Sequence, residues 1–343
     1  MDLSRVEAVV AAAGQPAFRV KQVWEWATRG VDGYAAMTNV PLALRAELER
    51  EVPFATLSVA GEQHAKDGTV KTLFHTADGH PVEAVLMRYR DGRRSVCVSS
   101  QSGCPLTCTF CATGSMAFGR NLTPWEILDQ VMYFKRLEPG GATAAERLTN
   151  VVFMGMGEPF LNVDNVLAAA RRLPELGVSH RHTTISTVGW IPGLERFVEE
   201  VDEPIRLALS LHAANPELRT RLMPVNERYP LPGVLELCRR HHAKTNRRVY
   251  VEYVMLAGVN DSPAQARDLA QLLGRHAFKL NLIPYNPTGS FDGSTREAIA
   301  AFKAELDRAR VPATVRLTRG RDIAAACGQL AAAPRGRQNA AVG

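Results

Sequence analysis

Three cysteines close together in the chain carry the clearest chemical signal of the sequence. Cys104, Cys108 and Cys111 have the spacing C-x3-C-x2-C and follow a short apolar run typical of a buried strand. Thiolates are soft ligands that suit iron–sulfur clusters, zinc or copper(I). Three of them can hold three irons of a cubane and leave the fourth iron open to a ligand from outside the protein. We therefore expect a [4Fe–4S] cluster on these residues.

A zinc ion is the main alternative for these cysteines. Zinc prefers paired C-x2-C units that are completed by a fourth Cys or His. Cys97 could be offered as that fourth ligand, but it lies on the preceding predicted strand. The spacing favours the cluster, and a zinc-stabilised RNA-binding protein without catalysis is the alternative from a different class.

The cysteines belong to a repeating pattern of strands and helices. Strands are predicted at 95–99, 150–154, 183–187, 206–211, 249–255 and 279–283, with a seventh at 314–317. Helices are predicted to begin at the capping box Thr123-Pro124-Trp125-Glu126 and at Ser262-Pro263. Six strand–helix units predict an α/β fold in which a parallel sheet curls into a partial (β/α)6 barrel.

Distinctive polar residues fall at the ends of these predicted strands. The cysteines follow the first strand, Gly155-Met156-Gly157-Glu158-Pro159 the second, Ser186 ends the third, Ser210-Leu211-His212 the fourth, and Asn286 follows the sixth. In parallel α/β barrels the carboxyl ends of the strands carry the active site. We expect these residues to meet at one site.

The chain divides into four predicted regions. Tight turns are expected at Asp67-Gly68 and Asp78-Gly79, between β-rich runs. The regions are a helical accessory region at 1–53, a small β extension at 54–92, the barrel core with a C-terminal cysteine segment at 93–330, and a disordered tail at 331–343.

Composition and charge limit the class of protein. The 343 residues are 46% hydrophobic and 22% charged, which indicates a folded globular protein. No apolar run approaches the roughly 18 residues of a membrane span, and the N-terminus lacks the features of a signal peptide, so we expect a cytoplasmic protein without membrane contact. Six cysteines in a cytoplasmic protein indicate metal or redox chemistry. The net charge of +6 permits RNA as a partner.

Two of these motifs resemble those of the radical SAM superfamily. The segment 103–114, which contains the three cysteines, resembles its cluster motif, and 155–159 resembles its Gly-Glu-Pro motif. The resemblance implies that the open iron binds S-adenosylmethionine (SAM) and that Glu158, beside Gly157, holds the SAM amino group.

Further segments resemble one family of that superfamily, the ribosomal RNA adenine-C2 methyltransferases (the RlmN family). These segments are 18–23, 96–101, 252–256 and 322–330, so the match runs through nearly the whole chain. The family methylates carbon 2 of an adenine in 23S rRNA, and its dual-specificity members also methylate the adenine 3′ to the anticodon in some tRNAs. The resemblance further implies two SAM molecules per turnover and an electron donor such as flavodoxin or ferredoxin.

The resemblance also implies roles for individual residues. Cys327 takes a methyl group and becomes an S-methylcysteine, and Cys97 later resolves the covalent RNA adduct by forming a disulfide with Cys327. Glu83 matches the family's proton acceptor, although its spacing to Cys97 is one residue longer. Cys238 has no counterpart and is predicted to pack in the core. Positions that match SAM contacts are Ser186, Ser210, Leu211, His212 and Asn286.

The sequence leaves open two alternative functions and the position of the surface that binds RNA. A related enzyme that methylates carbon 8 of the adenine and confers antibiotic resistance fits much of the chain, although Thr318-Arg319-Gly320 favours the carbon-2 group. A radical SAM enzyme acting on a protein or small molecule would not need Cys327. Basic patches that could bind RNA are Arg88, Arg90, Arg93 and Arg94; Arg239, Arg240, Lys244, Arg247 and Arg248; and Arg316, Arg319 and Arg321.

Overall fold

Residues 1–137 and 147–331 are described by the computed structural model of the chain. Three helices open it: α1 Leu3–Ala12, α2 Phe18–Arg29 and α3 Leu42–Glu51. Apolar residues at helical spacing form one buried face on each helix, as the sequence predicts. Trp24 packs edge-on against Trp125 with ring centroids 5.9 Å apart, which joins this helical region to the rest of the molecule.

The strands within the described ranges form one ten-stranded sheet in chain order. Its first four strands are antiparallel neighbours: β1 Leu57–His64, β2 Val70–Thr76, β3 Pro81–Arg88 and β4 Arg94–Val98. From β4 onward all neighbours are parallel: β5 Asn150–Phe153, β6 Thr183–Thr187, β7 Arg206–Ser210, β8 Val249–Met255, β9 Phe278–Pro284 and β10 Ala313–Val315. The small β extension is therefore continuous with the parallel sheet.

Helices cover the outer face of the parallel strands. They are α4 Pro124–Leu137, α5 Val163–Arg172, α6 Ile191–Glu200, α7 Pro216–Leu222, α8 Val225–Arg228, α9 Leu231–Thr245, α10 Pro263–Leu273 and α11 Arg296–Arg308. Both predicted helix starts are confirmed. Glu126 accepts a hydrogen bond from the Thr123 amide at 2.8 Å, and Ser262 forms a capping box with Gln265.

The predicted α/β fold and its parallel strands are confirmed, each strand to within two residues at either end. Strands covered on both faces read as almost unbroken apolar runs, which is why 249–255 was recognisable. Cys238 is fully buried on α9, as predicted. Of the predicted disordered tail only Ala331 is described, and 332–343 lie outside the described residues. No helix in 1–137 or 147–331 is long and apolar enough to cross a membrane.

Candidate active site

A cavity of about 590 Å³ lies inside the curled parallel sheet. Three of the six cysteines, Cys97, Cys111 and Cys327, line it. The predicted SAM contacts that line it are Gly157, Glu158, Ser186, Ser210, His212 and Asn286. The fold thus brings residues from the ends of six different strands or their following loops to one space, as barrel topology predicts.

The cysteine motif forms a tight loop between β4 and α4. The Cys111 amide donates to the Cys108 carbonyl at 3.1 Å, and the Gly114 amide donates to the Cys111 carbonyl at 3.1 Å. Gly103 has φ of +71°, and a Cβ on it would lie 2.2 Å from the Ala117 carbonyl oxygen. The loop therefore needs glycine at this position, both for the left-handed backbone and for the close approach.

The donor set of this loop fits an iron–sulfur cluster. Burial raises the pKa of the Cys104 thiol to about 12. Burial also raises the pKa of Cys108, and the thiols of Cys111 and Cys104 raise it further. Within the described residues no three His, Cys, Asp or Glu side chains converge on one ion position. A cubane does not require convergence, because each cysteine binds a different iron.

The cysteine loop is fastened to the segment that carries Cys327. The Ala112 amide donates to the Gly328 carbonyl at 2.8 Å, and the Thr113 hydroxyl donates to the Leu330 carbonyl at 2.7 Å. Asn286 donates from its side-chain amide to the Cys327 carbonyl at 3.2 Å. The two ends of the barrel sequence are therefore held together at the cavity.

Glu158 is buried and firmly held in the loop after β5. Its two carboxylate oxygens accept the backbone amides of Phe160 at 3.0 Å and Val188 at 2.9 Å. Burial raises its pKa to about 7. The preceding Gly157 has φ of +94° and lies against Gln101, leaving no room for a side chain. The loop presents a fixed carboxylate to the cavity, which suits an ammonium group.

The residues predicted at the ends of β6 and β7 lie side by side. The hydroxyls of Ser186 and Ser210 are 3.5 Å apart. His212 accepts the Val254 amide on Nδ1 at 3.0 Å, and burial lowers its pKa to about 3. The neutral ring therefore carries its proton on Nε2 and can donate there. Leu211 is fully buried and is not among the residues that line the cavity.

Cys97 and Cys327 line the same cavity although they are distant in sequence. Cys97 is buried on β4 among Val85, Met156 and Ala325. Burial raises its pKa to about 12, and the nearby Cys327 thiol is the next contributor. Cys327 lies in the loop after β10 and is accessible from within the cavity, although protein atoms surround it and this burial raises its pKa.

Glu83 occupies a different environment from the other candidates. It is buried on β3, where Oε1 pairs with Lys71 Nζ at 3.1 Å and Oε2 accepts the Ala331 amide at 2.9 Å. It is not among the residues that line the cavity. The structure thus gives it a buried ion pair rather than the exposed position that is usual for a glutamate on a strand.

Sequence reasoning missed the roles of two charged residues in the cavity wall. Glu252 is buried in β8, and Arg316, which directly follows β10, lies beside it with Nη2 3.6 Å from Glu252 Oε1. A charged residue inside the apolar strand 249–255 was the available signal, since buried charges are rare without a partner. Its partner could not be identified without the tertiary structure.

The chain is similar to proteins of known family. Residues 98–270 match the family model of the Radical SAM superfamily, and residues 1–53 match that of the ribosomal RNA large subunit methyltransferase N-terminal domain. The "Probable dual-specificity RNA methyltransferase RlmN" of Heliobacterium modesticaldum is 46% identical over 98% of this chain and 89% of that protein. The "Dual-specificity RNA methyltransferase RlmN" of Anaeromyxobacter dehalogenans is 45% identical over 96% of this chain and 90% of that protein.

A solved structure is similar over nearly the same length. The crystal structure of a radical SAM methyltransferase from Sphaerobacter thermophilus is 43% identical and superposes with a TM-score of 0.90. The match covers 97% of this chain and 98% of the Sphaerobacter thermophilus chain. The similarity extends to the helical region, the β extension and the barrel together.

Proposed function

Because the chain belongs to the RlmN family of radical SAM RNA methyltransferases, we propose that it methylates carbon 2 of an adenine in 23S rRNA. We also propose the adenine 3′ to the anticodon in some tRNAs as a second substrate. The chain is a SAM-dependent methyltransferase, and its radical SAM domain implies a [4Fe–4S] cluster and SAM.

The observation that carries the proposal is the meeting of Cys97 and Cys327 at the cavity beside the cysteine loop. Carbon 2 of adenine is electron-poor and cannot attack the SAM methyl group as a nucleophile. A thiolate can, and a carbon radical can then add to the ring. A barrel that brings two further cysteines to the cluster loop supports such a two-stage methyl transfer.

In this proposal each cysteine of the site has its own role. Cys104, Cys108 and Cys111 would hold the cluster, and a bound cluster would supply the electron for cleavage of SAM. Cys327 accepts the methyl group of a first SAM, and a second SAM is consumed in activating that group, giving two per turnover. Cys97 then attacks the Cys327 sulfur and forms a disulfide that releases the RNA. Thiol–disulfide exchange requires a reductant before the next turnover.

Six residues are proposed to hold SAM beside Gly157. Glu158 binds the amino group through its fixed carboxylate, and His212 donates from Nε2. The remaining contacts are Ser186, Ser210, Leu211 and Asn286. Glu83, whose Oε1 pairs with Lys71 Nζ at 3.1 Å, is proposed as the proton acceptor for carbon 2. An electron donor such as flavodoxin or ferredoxin is proposed to reduce the cluster.

The N-terminal helices are proposed to bind RNA as a region of their own. The proposed regions are 1–53 for RNA binding, 54–92 for the β extension and 93–330 for the barrel with its cysteine segment. Phe18 and Leu42 are exposed on that helical region, at 55% and 75% of their surface. The Arg19 guanidinium lies 4.9 Å from the centroid of the Phe18 ring, and an exposed aromatic ring beside a cation suits an unstacked base of RNA.

Anaerobic turnover on isolated RNA tests the proposed function. The reconstituted full chain is incubated with methyl-labelled SAM, a reductant, and either a 23S rRNA fragment or tRNA. Nuclease digestion and mass spectrometry should then give 2-methyladenosine, and peptide mapping should give S-methyl Cys327. The matched Cys327→Ala variant should give neither.

Three outcomes would contradict the proposal. 8-Methyladenosine as the sole product would assign the carbon-8 reaction. Full RNA methylation by Cys327→Ala would exclude the methyl-cysteine route. A colourless protein that contains one zinc ion would exclude the cluster.

A further inference from the structure

The loop that runs from Ala324 to Ala331 carries Cys327, and we call it the Cys327 loop. One buried ion pair of the β extension contacts both of its ends. Lys71 Nζ pairs with Glu83 Oε1 at 3.1 Å and donates to the Ala324 carbonyl at 3.3 Å. The second carboxylate oxygen, Glu83 Oε2, accepts the Ala331 amide at 2.9 Å. The two ends of the loop are therefore held by the same pair of side chains.

The sheet register places this ion pair on the face that the Cys327 loop covers. Lys71 on β2 is opposite Val85 on β3. Glu83 is two positions from Val85 on the same strand and so shares its face, which makes it a diagonal neighbour of Lys71. On that face Val85 packs with Cys97 and with Ala325 of the loop. The ion pair thus lies beside the apolar patch where the loop meets Cys97.

Burial makes the ion pair sensitive to the loss of either partner. Only 10% of the Lys71 side chain and 4% of the Glu83 side chain are exposed. Buried charges are stable when further hydrogen bonds accompany the pairing, and here the backbone at the two ends of the loop provides them. Removing the lysine would take away the cation beside a buried carboxylate and the donor to the Ala324 carbonyl.

The first residue of the loop has a backbone conformation that needs support. Ala324 has φ of +50°, in the left-handed region that is unfavourable for a residue with a Cβ. Such a conformation persists only where surrounding contacts hold it. The hydrogen bond that Lys71 donates to the carbonyl of this residue is one of those contacts. The lysine therefore stabilises the bend by which the chain enters the loop.

We propose that Lys71 is a positioning residue that, through its ion pair with Glu83, holds both ends of the Cys327 loop and so fixes Cys327 at the cavity. The proposal rests on the proposed function in that Cys327 is the methyl acceptor. Lys71 is not among the residues that line the cavity, so it acts through the loop and not by contact with SAM. The same pairing also fixes the Glu83 carboxylate.

Amide hydrogen exchange tests the proposal without SAM or RNA. The full chain with its cluster reconstituted is placed in deuterated buffer, and peptides that cover the Cys327 loop are followed by mass spectrometry. Within the loop the Gln329 amide donates to the Ala326 carbonyl at 3.0 Å, and such amides exchange slowly while the loop stays closed. We expect the loop of Lys71→Met to exchange roughly three- to tenfold faster than that of the wild type. Lys71→Arg keeps the cation and should recover part of the protection.

Two further variants separate the hold on the loop from general stability. Lys135→Met removes a half-buried lysine that donates to the Leu176 carbonyl at 3.1 Å, and it should leave exchange in the Cys327 loop unchanged. The double variant Lys71→Met/Glu83→Leu replaces the ion pair by apolar side chains, a change that often preserves stability. It should unfold in urea near the wild-type midpoint and still exchange its loop faster. A merely structural role predicts slow exchange in that loop.

Methylation of Cys327 in the absence of RNA gives a second measurement. The Cys327 sulfur attacks the methyl carbon of SAM, a carbon–sulfur bond forms, and S-adenosylhomocysteine leaves as the thiol proton passes to solvent. Peptide mapping with methyl-labelled SAM gives the rate at several SAM concentrations. Lys71→Met should lower the maximal rate roughly tenfold, because the acceptor is misplaced. The SAM concentration at half-maximal rate should stay the same, because Lys71 does not line the cavity.

Unchanged loop exchange in Lys71→Met would overturn the proposal, as would slow loop exchange in the double variant. A higher half-saturating SAM concentration with an unchanged maximal rate would also overturn it. If Lys71→Met does not fold, the double variant decides. A wild-type chain that leaves Cys327 unmethylated would instead contradict the proposed function, and hydrogen exchange would still test the hold on the loop.

Discussion

Cys97 and Cys238 show that residue type and burial do not decide the role of a cysteine. Both are buried, and burial raises the pKa of each to about 12. Cys238 packs on α9 inside the main core, whereas Cys97 borders the cavity and lies near Cys327. Position relative to the cavity is what makes one of them a candidate for chemistry.

Cys97→Ala should trap the RNA on the protein. Without the thiol that attacks the Cys327 sulfur, the adduct stays covalent, and the enzyme should stop after a single turnover. Denaturing gel electrophoresis followed by nuclease digestion and peptide mapping measures the trapped species. Cys238→Ala is the control, because it also removes a buried cysteine sulfur, at a cost of about 1 kcal/mol in packing. Multiple turnovers by Cys97→Ala would contradict the proposed resolving role.

At the scale of elements, the loops at the carboxyl ends of the strands are held by close backbone contacts. Gly103 and Gly79 both have positive φ, +71° and +83°. A Cβ on Gly79 would meet nothing within 4 Å, whereas one on Gly103 would strike the backbone of Ala117. Alanine variants at these two glycines therefore separate the effect of backbone strain from the effect of close packing in the cysteine loop.

Gly103→Ala should disrupt the cysteine loop, and Gly79→Ala should not. The left-handed backbone costs each variant about 1 kcal/mol. The clash at position 103 should add roughly 1–3 kcal/mol. We expect the melting temperature to fall further in Gly103→Ala than in Gly79→Ala, and less bound iron after reconstitution in Gly103→Ala alone. Equal iron content in both variants would show that the loop tolerates the side chain.

A buried arginine joins the loops that follow β6 and β7. Arg219 on α7 is fully buried, and its Nη2 donates to the Val188 carbonyl at 2.7 Å. Nε donates to the Leu211 carbonyl at 3.2 Å, and Nη1 donates to Asn226 at 2.6 Å. Burial lowers its pKa to about 10, so it remains charged at neutral pH. Its hydrogen bonds fix the backbone around the proposed SAM contacts.

Arg219→Met should therefore lose both stability and SAM affinity. Removing the guanidinium leaves buried carbonyl groups unpaired, which should lower the free energy of unfolding by roughly 2–4 kcal/mol. Urea unfolding and equilibrium dialysis with SAM measure the two effects. Arg221→Met, an exposed neighbour on the same helix, is the control. If both variants bound SAM equally well, the positioning role of Arg219 would be refuted.

At the scale of the whole molecule, the net charge of +6 is less informative than its distribution. Arg240 pairs with Glu199 at 3.4 Å and Lys244 with Asp202 at 3.0 Å. These cations are partly neutralised on the outer, helical wall. Arg93 also pairs with an acid, Asp91 at 2.8 Å, but it lines the cavity. The basic patch nearest the site is thus the better RNA surface.

The double variant Arg90→Ala/Arg93→Ala should weaken RNA binding. Loss of two phosphate contacts should lower affinity by roughly tenfold and reduce the slope of log affinity against log salt by about 1–2. Filter binding at several salt concentrations measures both quantities. Arg240→Ala/Lys244→Ala removes the same charge from the outer wall and should leave both unchanged. If the Arg240→Ala/Lys244→Ala variant alone bound RNA more weakly, the RNA-binding surface would lie on the outer wall instead.

The sequence by itself determined what depends on neighbouring residues. The C-x3-C-x2-C spacing indicated a cluster loop, apolar runs predicted the strands, and capping residues marked helix starts at Thr123 and Ser262. These signals are local, because ligand spacing, strand burial and capping each involve residues a few positions apart. The order of polar residues at strand ends also predicted that they would share one site.

Only the tertiary structure decided which distant side chains meet. The family resemblance implies that Cys97 and Cys327 meet, but no local pattern predicts it, because it depends on closure of the sheet. The pairing of Arg316 with Glu252 depends on the register of β8, β9 and β10. A shift of one residue in any of these strands would turn the same side chains to the opposite face. Register follows from packing of the whole core, which no short segment of sequence contains.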